Sequence, residues 1–440
     1  MANRRYIQRS TEDSAISEGL TADIERTNTL SRLLDAERDA VLRSQGLADD
    51  DNTLALTLKR LLSVRSTTST IATVSSFAKD HQDALHDSTI GFRKIGFGQC
   101  GLVFERPGRG YVVKICKPGY SDGLWADCVA HDRVQTAFDG QKLGLGVCVP
   151  HLYAWISKGA IWWDVYGALY PPSDHTDFPL PCRALLSERI LALPKVARSA
   201  LIEQFCPEDQ REAVAQNDSN RDCLARVYLG RRSDSKPSAN FTLRNFNMHL
   251  DQMISVGAPV IKYAEAIAEA LAVIHWQSNV DGFDIEFVLG SEPLAPNEKP
   301  PFTMPQGPEH STDLEICETI DEVDIDFHQR TIRLWVLDFN LCNCWEEKAG
   351  WENPEMLIDH LVFSFFENDP YYPLPLAEQD LDRELWTTFR GAYLEKASEI
   401  LMPKDKRLHE LPTKFMDACV ERERQKLAEG RGHGSRDHKQ

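Results

Sequence analysis

The chain has 440 residues, with 49 Lys and Arg against 67 Asp and Glu, and a net charge of −18. That balance works against general binding to nucleic acid or to an anionic membrane surface. No apolar run approaches the roughly 20 residues of a membrane-spanning helix, and the start, MANRRYIQRSTEDSA, is polar, so an intracellular place, cytoplasmic or nuclear, is expected.

Residues 1–88 are rich in Ser, Thr, Asp and Arg. Short amphipathic helices are expected around Leu30–Leu42 and Leu54–Leu62, with a Ser/Thr tract from Ser63 to Ser76. The folded part is expected to begin near residue 89. Gly96, Gly98 and Gly101 precede the apolar run Leu102-Val103-Phe104. The turn-forming Pro107-Gly108-Arg109-Gly110 follows, then Tyr111-Val112-Val113 and Lys114, which together read as a hairpin. Glycines let backbone approach phosphate oxygens closely, and an ammonium offsets their charge. A dinucleotide-binding loop shares the glycine spacing but opens a helix, whereas a strand follows here.

Leu124 to Phe138 has helical apolar spacing and contains no Glu; Asp127 and Asp132 are its acids. Cys148–Ile156 and Ala160–Tyr170 are aromatic and β-rich, and Ala184–Ile190, which includes Glu188, reads as a further strand. Residues 194–217 read as helical. Ala258–Trp276 is the strongest helix, apolar on a broad face, with His275 near its end in a capping or packing role. Val280–Gly290 carries Asp281, Asp284 and Glu286 in an otherwise apolar stretch. Residues 291–328 turn Pro-rich and then acidic, as a surface insertion would. Thr331–Leu337 then reads as a strand running into Asp338-Phe339-Asn340. Helices are expected over Glu355–Phe366 and Leu381–Leu401, and a charged tail, helical or disordered, over 406–440. Eleven cysteines are scattered without a C-x-x-C pair, Cys342 and Cys344 being nearest, so reduced thiols are expected and the spacing gives no zinc pattern.

In order, these pieces resemble a protein kinase: glycine loop, strand lysine, helix, acidic loop, and a strand ending in Asp-Phe. The resemblance implies an α+β, two-lobed fold, with a small antiparallel sheet lobe over 89–192 and a mainly helical lobe over 193–405. It implies ATP and Mg²⁺ as cofactors. Gly96, Gly98, Gly101 and Lys114 would take the phosphates, Glu188 would lie near adenine, and Asp338 with Glu286 would hold the metal. Lys114 and Asp281 would be catalytic. The Asp-x-x-x-x-Asn spacing of the kinase loop matches Asp281 with Glu286; an alternative register falls on Gly282 and Phe287, and Asp284 is a third candidate. The helix-C glutamate, His-Arg-Asp and a long activation loop are missing, so an inactive scaffold is the alternative to a phosphotransferase acting on a protein or a small molecule. The runs Cys223–Ser233, Phe241–Met253, Val280–Gly290, Trp335–Asn340 and Asn368–Pro373 also resemble a fungal family of uncharacterised proteins that share a domain of unknown function and are often labelled zinc finger protein. That label adds a zinc-binding regulator as a further alternative.

Overall fold

The structure, a computed structural model, describes residues 62, 69–70, 89–98, 100–141, 144–172, 178–233, 241–294, 299–312 and 326–431. The two helices expected before residue 62 lie outside the described residues. The chain is α+β, with two sheets and a helical layer. Its strands are β1 (Ser69–Thr70), β2 (Arg93–Phe97), β3 (Gly101–Glu105), β4 (Tyr111–Cys116), β5 (Val147–Cys148), β6 (Leu152–Ile156), β7 (Ala184–Glu188), β8 (Ala225–Tyr228), β9 (Phe246–His249), β10 (Glu286–Leu294) and β11 (Asp326–Leu337). The helices used below are α1 (Ser121–Asp139), α2 (Trp162–Tyr166), α3 (Lys195–Phe205), α4 (Arg211–Gln216), α5 (Leu250–Ser255), α6 (Val260–Trp276), α7 (Ala349–Glu352), α8 (Pro354–Glu367), α9 (Asp380–Leu401) and α10 (Leu411–Ala428).

The smaller sheet has five antiparallel strands in the order β2-β3-β4-β7-β6. Its second hairpin closes on Arg106-Pro107-Gly108-Arg109, where Arg109 N donates to Arg106 O at 3.0 Å and Gly108 has φ +77. Pro followed by a residue of positive φ is the chemistry of a type II turn. The β4–β7 register sets Lys114 opposite Leu185. Alternation along β4 buries Tyr111, Val113 and Ile115 with Phe92, Phe104 and Leu186, while Lys114 takes the other face, toward α1.

The segment Ala160–Tyr170 is not a strand. Trp162–Tyr166 is one helical turn, continued by a 3-10 turn over Gly167–Leu169. A strand would turn every second aromatic away from the core; the coiled path brings Trp162, Trp163 and Tyr170 together against Phe92 and Phe104.

The larger sheet runs β1-β11-β10-β8-β9, with β5 pairing β11 in parallel. Cys148 therefore joins this sheet rather than the small one. Helix α6 is the axis of the larger core. Val260, Tyr263, Ala264, Ile267, Leu271, Ile274 and Trp276 are among its buried residues, and α9 packs along it. His275 is buried against Tyr393, and burial pushes its imidazole down to about 4, which fits a packing role. Residues 194–217 split into α3 and α4 at Cys206-Pro207, where proline cannot continue the hydrogen-bond ladder. Helix α10 extends to Ala428, held by buried Leu411, Phe415, Met416 and Cys419. The expected surface insertion joins β10 to β11, and its described part also packs against the other sheet. Lys299 to Thr312 lies on β6 and β7, with Thr312 and Trp155 exchanging two bonds of 3.0 Å and His151 Nε2 lying 2.7 Å from Pro300 O. The acidic residues at 313–325 lie outside the described residues.

Candidate functional site

Strand β4 offers Lys114 to the gap between the two sheets. Its Nζ lies 2.7 Å from Asp127 Oδ2 on α1 and 2.9 Å from Asp338 Oδ1, just past β11. Burial opposes the ammonium, but Asp127 and then Asp338 outweigh it and hold Lys114 above the usual lysine range. Asp127 has the opposite balance. Burial pushes its carboxyl up more strongly than Lys114 pulls it down. Its other oxygen accepts from Phe339 N at 3.1 Å, so one aspartate ties α1 to both the lysine and the Asp-Phe turn. The helix without a glutamate thus reaches the lysine with an acid one methylene shorter.

Asp338 has φ +65, and Asn279 and Asp284 are also in the left-handed region, at φ +54 and +61. Asn and Asp tolerate it best among residues with a side chain, but such backbone is uncommon and gathers where geometry is functional. The Asp338 side chain is 28 % exposed, against 4 % for Asp127. It is therefore the carboxylate of the two that faces outward.

The glycine loop closes over this corner. Gly98 N donates to Gly101 O at 2.9 Å, and Lys117 lies 3.5 Å above the exposed Phe97 ring. Buried Cys100 accepts from Asn340 Nδ2 at 3.4 Å. Close approach is needed at Gly101, where a Cβ would stand 2.7 Å from Ile115 O, but not at Gly98, where the nearest atom would be 3.8 Å away. Asn340 Oδ1 is buried beneath the loop without a partner among the described residues.

Two expected site residues fall elsewhere. Glu188 is turned from the gap: Oε1 takes Lys299 at 2.6 Å and Oε2 takes His151 N at 3.0 Å. It fastens the docked insertion to β7. The backbone just beyond is also engaged, Leu191 exchanging bonds of 3.0 and 2.7 Å with Ser291. Asp281 is the second. Its side chain has no exposure and accepts from Phe283 N at 3.0 Å, Asn343 N at 2.9 Å and Asn343 Nδ2 at 2.9 Å, with His360 Nε2 at 2.7 Å. Burial works against its charge, yet these donors hold it below the usual carboxylate range. An acid so enclosed positions a loop and has no face left for a substrate proton. Asp284 is the exposed acid of that loop.

Glu286 opens β10 opposite Leu337, the residue just before Asp338. Burial raises its carboxyl to about 7; Arg226 pulls it back, and Asp338, Asp369 and Asp284 push it further. Arg226 bridges Glu286 and Asp369, the latter at 2.7 Å, and Tyr228 donates to the same Asp369 oxygen at 2.8 Å. Asp369 in turn lines a cleft of about 810 Å³ with Arg231, Arg232, His249 and Asp382. A chain of charges thus runs from Lys114 to that cleft. Arg226 and Asp369 fall in runs that carry the family resemblance but were not expected at the site: Arg226 meets its partners 60 and 143 residues away.

Among the described residues, no three His, Cys, Asp or Glu side chains gather where they could hold a metal ion by themselves. No described helix is long and apolar enough to cross a membrane. Residues 334–405, from the end of β11 through α9, match a family model described as "Zinc finger protein", a domain of unknown function. No curated protein and no solved structure matches the chain.

Proposed function

We propose that this protein is a kinase-like nucleotide-binding protein that takes a magnesium–nucleotide by its phosphates. The observation that carries the reading is the Lys114 ammonium held between Asp127 and Asp338, which come from two different parts of the fold. Lys114 stands on the third strand of the small sheet and pairs with the helix that follows, the arrangement in which kinases keep their phosphate lysine. The unpartnered Asn340 Oδ1 under the glycine loop and the outward face of Asp338 suit a polar, metal-bearing ligand. Magnesium needs only one or two carboxylates when phosphates complete its shell, so Asp338 and Glu286 suffice without a third ligand. When bound, the metal would neutralise phosphate charge and orient the transferable group.

The chain's own residues have separable parts. Lys114 offsets phosphate charge and is kept in place by Asp127. Gly101 brings the loop backbone close. Asp284 is exposed where Asp281 is enclosed, and it is the acid we assign to an acceptor hydroxyl. Glu286 has a carboxyl near neutrality that an incoming cation would ionise. A scaffold without turnover is the second reading, favoured by the burial of Asp281 and by the engaged backbone of Leu191, where an adenine edge would seek partners.

Thermal shift with ATP, with and without Mg²⁺, tests the proposal. A ligand at about 100 times its Kd stabilises by roughly 2.7 kcal/mol. The wild type gains that shift only with Mg²⁺ present, and Lys114→Met and Asp338→Asn each lose it. A wild type that does not respond, or a Lys114→Met variant that keeps the whole shift, overturns the reading. Transfer of labelled phosphate, lost in Asp284→Asn with nucleotide binding intact, separates enzyme from scaffold.

A further inference from the structure

Helix α8 buries Leu357, Ile358, Leu361, Val362, Phe365 and Phe366 in the larger core. Its other face is unusual for a solvated helix. Met356 is 66 % exposed and Phe363 is 42 % exposed, with His360 between them at helical spacing. The Phe363 ring lies 5.6 Å from that of Phe283, in the loop that ends with Asp284. Two exposed apolar side chains, with the polar His360 between them, therefore lead along α8 onto the acidic loop.

The border of the stripe is mostly acidic, with Lys348 beside Glu352 at its start. From Ala349 to Glu367 the chain has Glu352, Glu355, Asp359 and Glu367 and no Lys or Arg. Glu352, Glu355 and Asp359 are exposed. Exposed apolar side chains set singly need no explanation, but a stripe at i, i+7 joined to a third ring and flanked by acids is the shape of a helix-docking surface. Its complement is a helix with apolar residues at matching spacing and Lys or Arg on both flanks.

We infer that the Met356–Phe363 stripe, extended by Phe283, docks a basic amphipathic helix of a partner protein. The inference does not depend on nucleotide binding. The stripe positions its partner beside Asp284, at the acidic end of the loop.

The test uses the full chain and a labelled 16-residue peptide with Leu at helical spacing and Lys on the flanks, read by fluorescence anisotropy. A peptide of the same pattern with Glu for Lys is the control. The basic peptide binds, the acidic one does not, and affinity falls about tenfold as salt is raised past the point where the Debye length drops below roughly 5 Å. Phe363→Ser and Met356→Ser each weaken binding about tenfold, a typical loss for an apolar anchor. Asp359→Lys flattens the salt dependence. Melting curves matching the wild type show that each variant is folded; if one is not, the other two carry the test. Equal affinity for the acidic peptide, binding unchanged in all three variants, or no binding of the basic peptide at about 1 mM overturns the inference. So does a wild-type dimer in light scattering that Phe363→Ser dissolves, since a second copy would then own the stripe.

Discussion

Removing the Lys114 ammonium while keeping its shape, as in Lys114→Met, gives the sharpest test of the electrostatics. The lysine side chain is 14 % exposed, Asp127 is 4 % exposed and Asp338 is 28 % exposed. Water can take over Asp338, so the loss falls on Asp127, left charged in the core. Breaking a buried pair in this way costs about 3 kcal/mol at about pH 8. Asp127 can escape by taking up a proton, because burial already pushes its carboxyl up and the variant removes the lysine that pulled it down. The folded variant then holds a proton that the unfolded chain has released, so its stability falls as pH rises and recovers toward about pH 5. Adding Asp127→Asn removes the stranded charge and retains an oxygen for Phe339 N, so the double variant regains about 2 kcal/mol of the loss. Urea unfolding of the three proteins, followed by tryptophan fluorescence at the two pH values, measures this. If Lys114→Met matches the wild type at the higher pH, or the double variant is no better than the single one, Lys114 and Asp127 are not coupled in the way the geometry requires.

Gly101→Ala is expected to destabilise by about 1–3 kcal/mol, because its Cβ would stand 2.7 Å from Ile115 O; Gly98→Ala, whose Cβ would make only an ordinary contact at 3.8 Å, stays within about 0.5 kcal/mol in the same unfolding assay. The His360–Asp281 bond raises the imidazole, so its charge-dependent stability is full below the ordinary histidine value and lost as pH rises through the raised one. With His360 44 % exposed, the gap between wild type and His360→Ala narrows by about 0.5–1 kcal/mol from about pH 6 to about pH 9, read from urea midpoints; a gap that does not change with pH refutes the charged pair.

Local chemistry was the legible part of this chain. Glycines, a Pro-Gly turn and alternating apolar residues marked the β3–β4 hairpin because each acts through its own backbone. Helix α6 was legible for the same reason, its apolar spacing being internal to the segment. What depended on approach was not. Whether an aspartate can stand in for a glutamate at residue 127 turns on how near α1 packs to β4. The contrast between Asp281 and Asp284 turns on Gly282 and Asp284 taking positive φ, which sends one carboxylate inward to Asn343 and His360 and the other outward. Glu188 looked like a strand-end acid near a ligand, and Lys299, 111 residues later, claimed it. Aromatic residues misled over Ala160–Tyr170, where β propensity gave way to tertiary packing.

The docked insertion has a mechanical consequence. Residues 299–312 belong to the connection between β10 and β11, yet they lie along the outer edge of the other sheet, where Trp155, His151 and Glu188 hold them. Across the gap Arg244 grips Ile95 O at 2.8 Å and Arg93 reaches Asp222 at 3.2 Å. The two halves are thus belted on opposite flanks, and a hinge that swings them wide would have to undo both fastenings. Between these two belts the loop after β2 has its own tie, the 3.4 Å contact of Asn340 Nδ2 with Cys100, so it can shift without either fastening being undone.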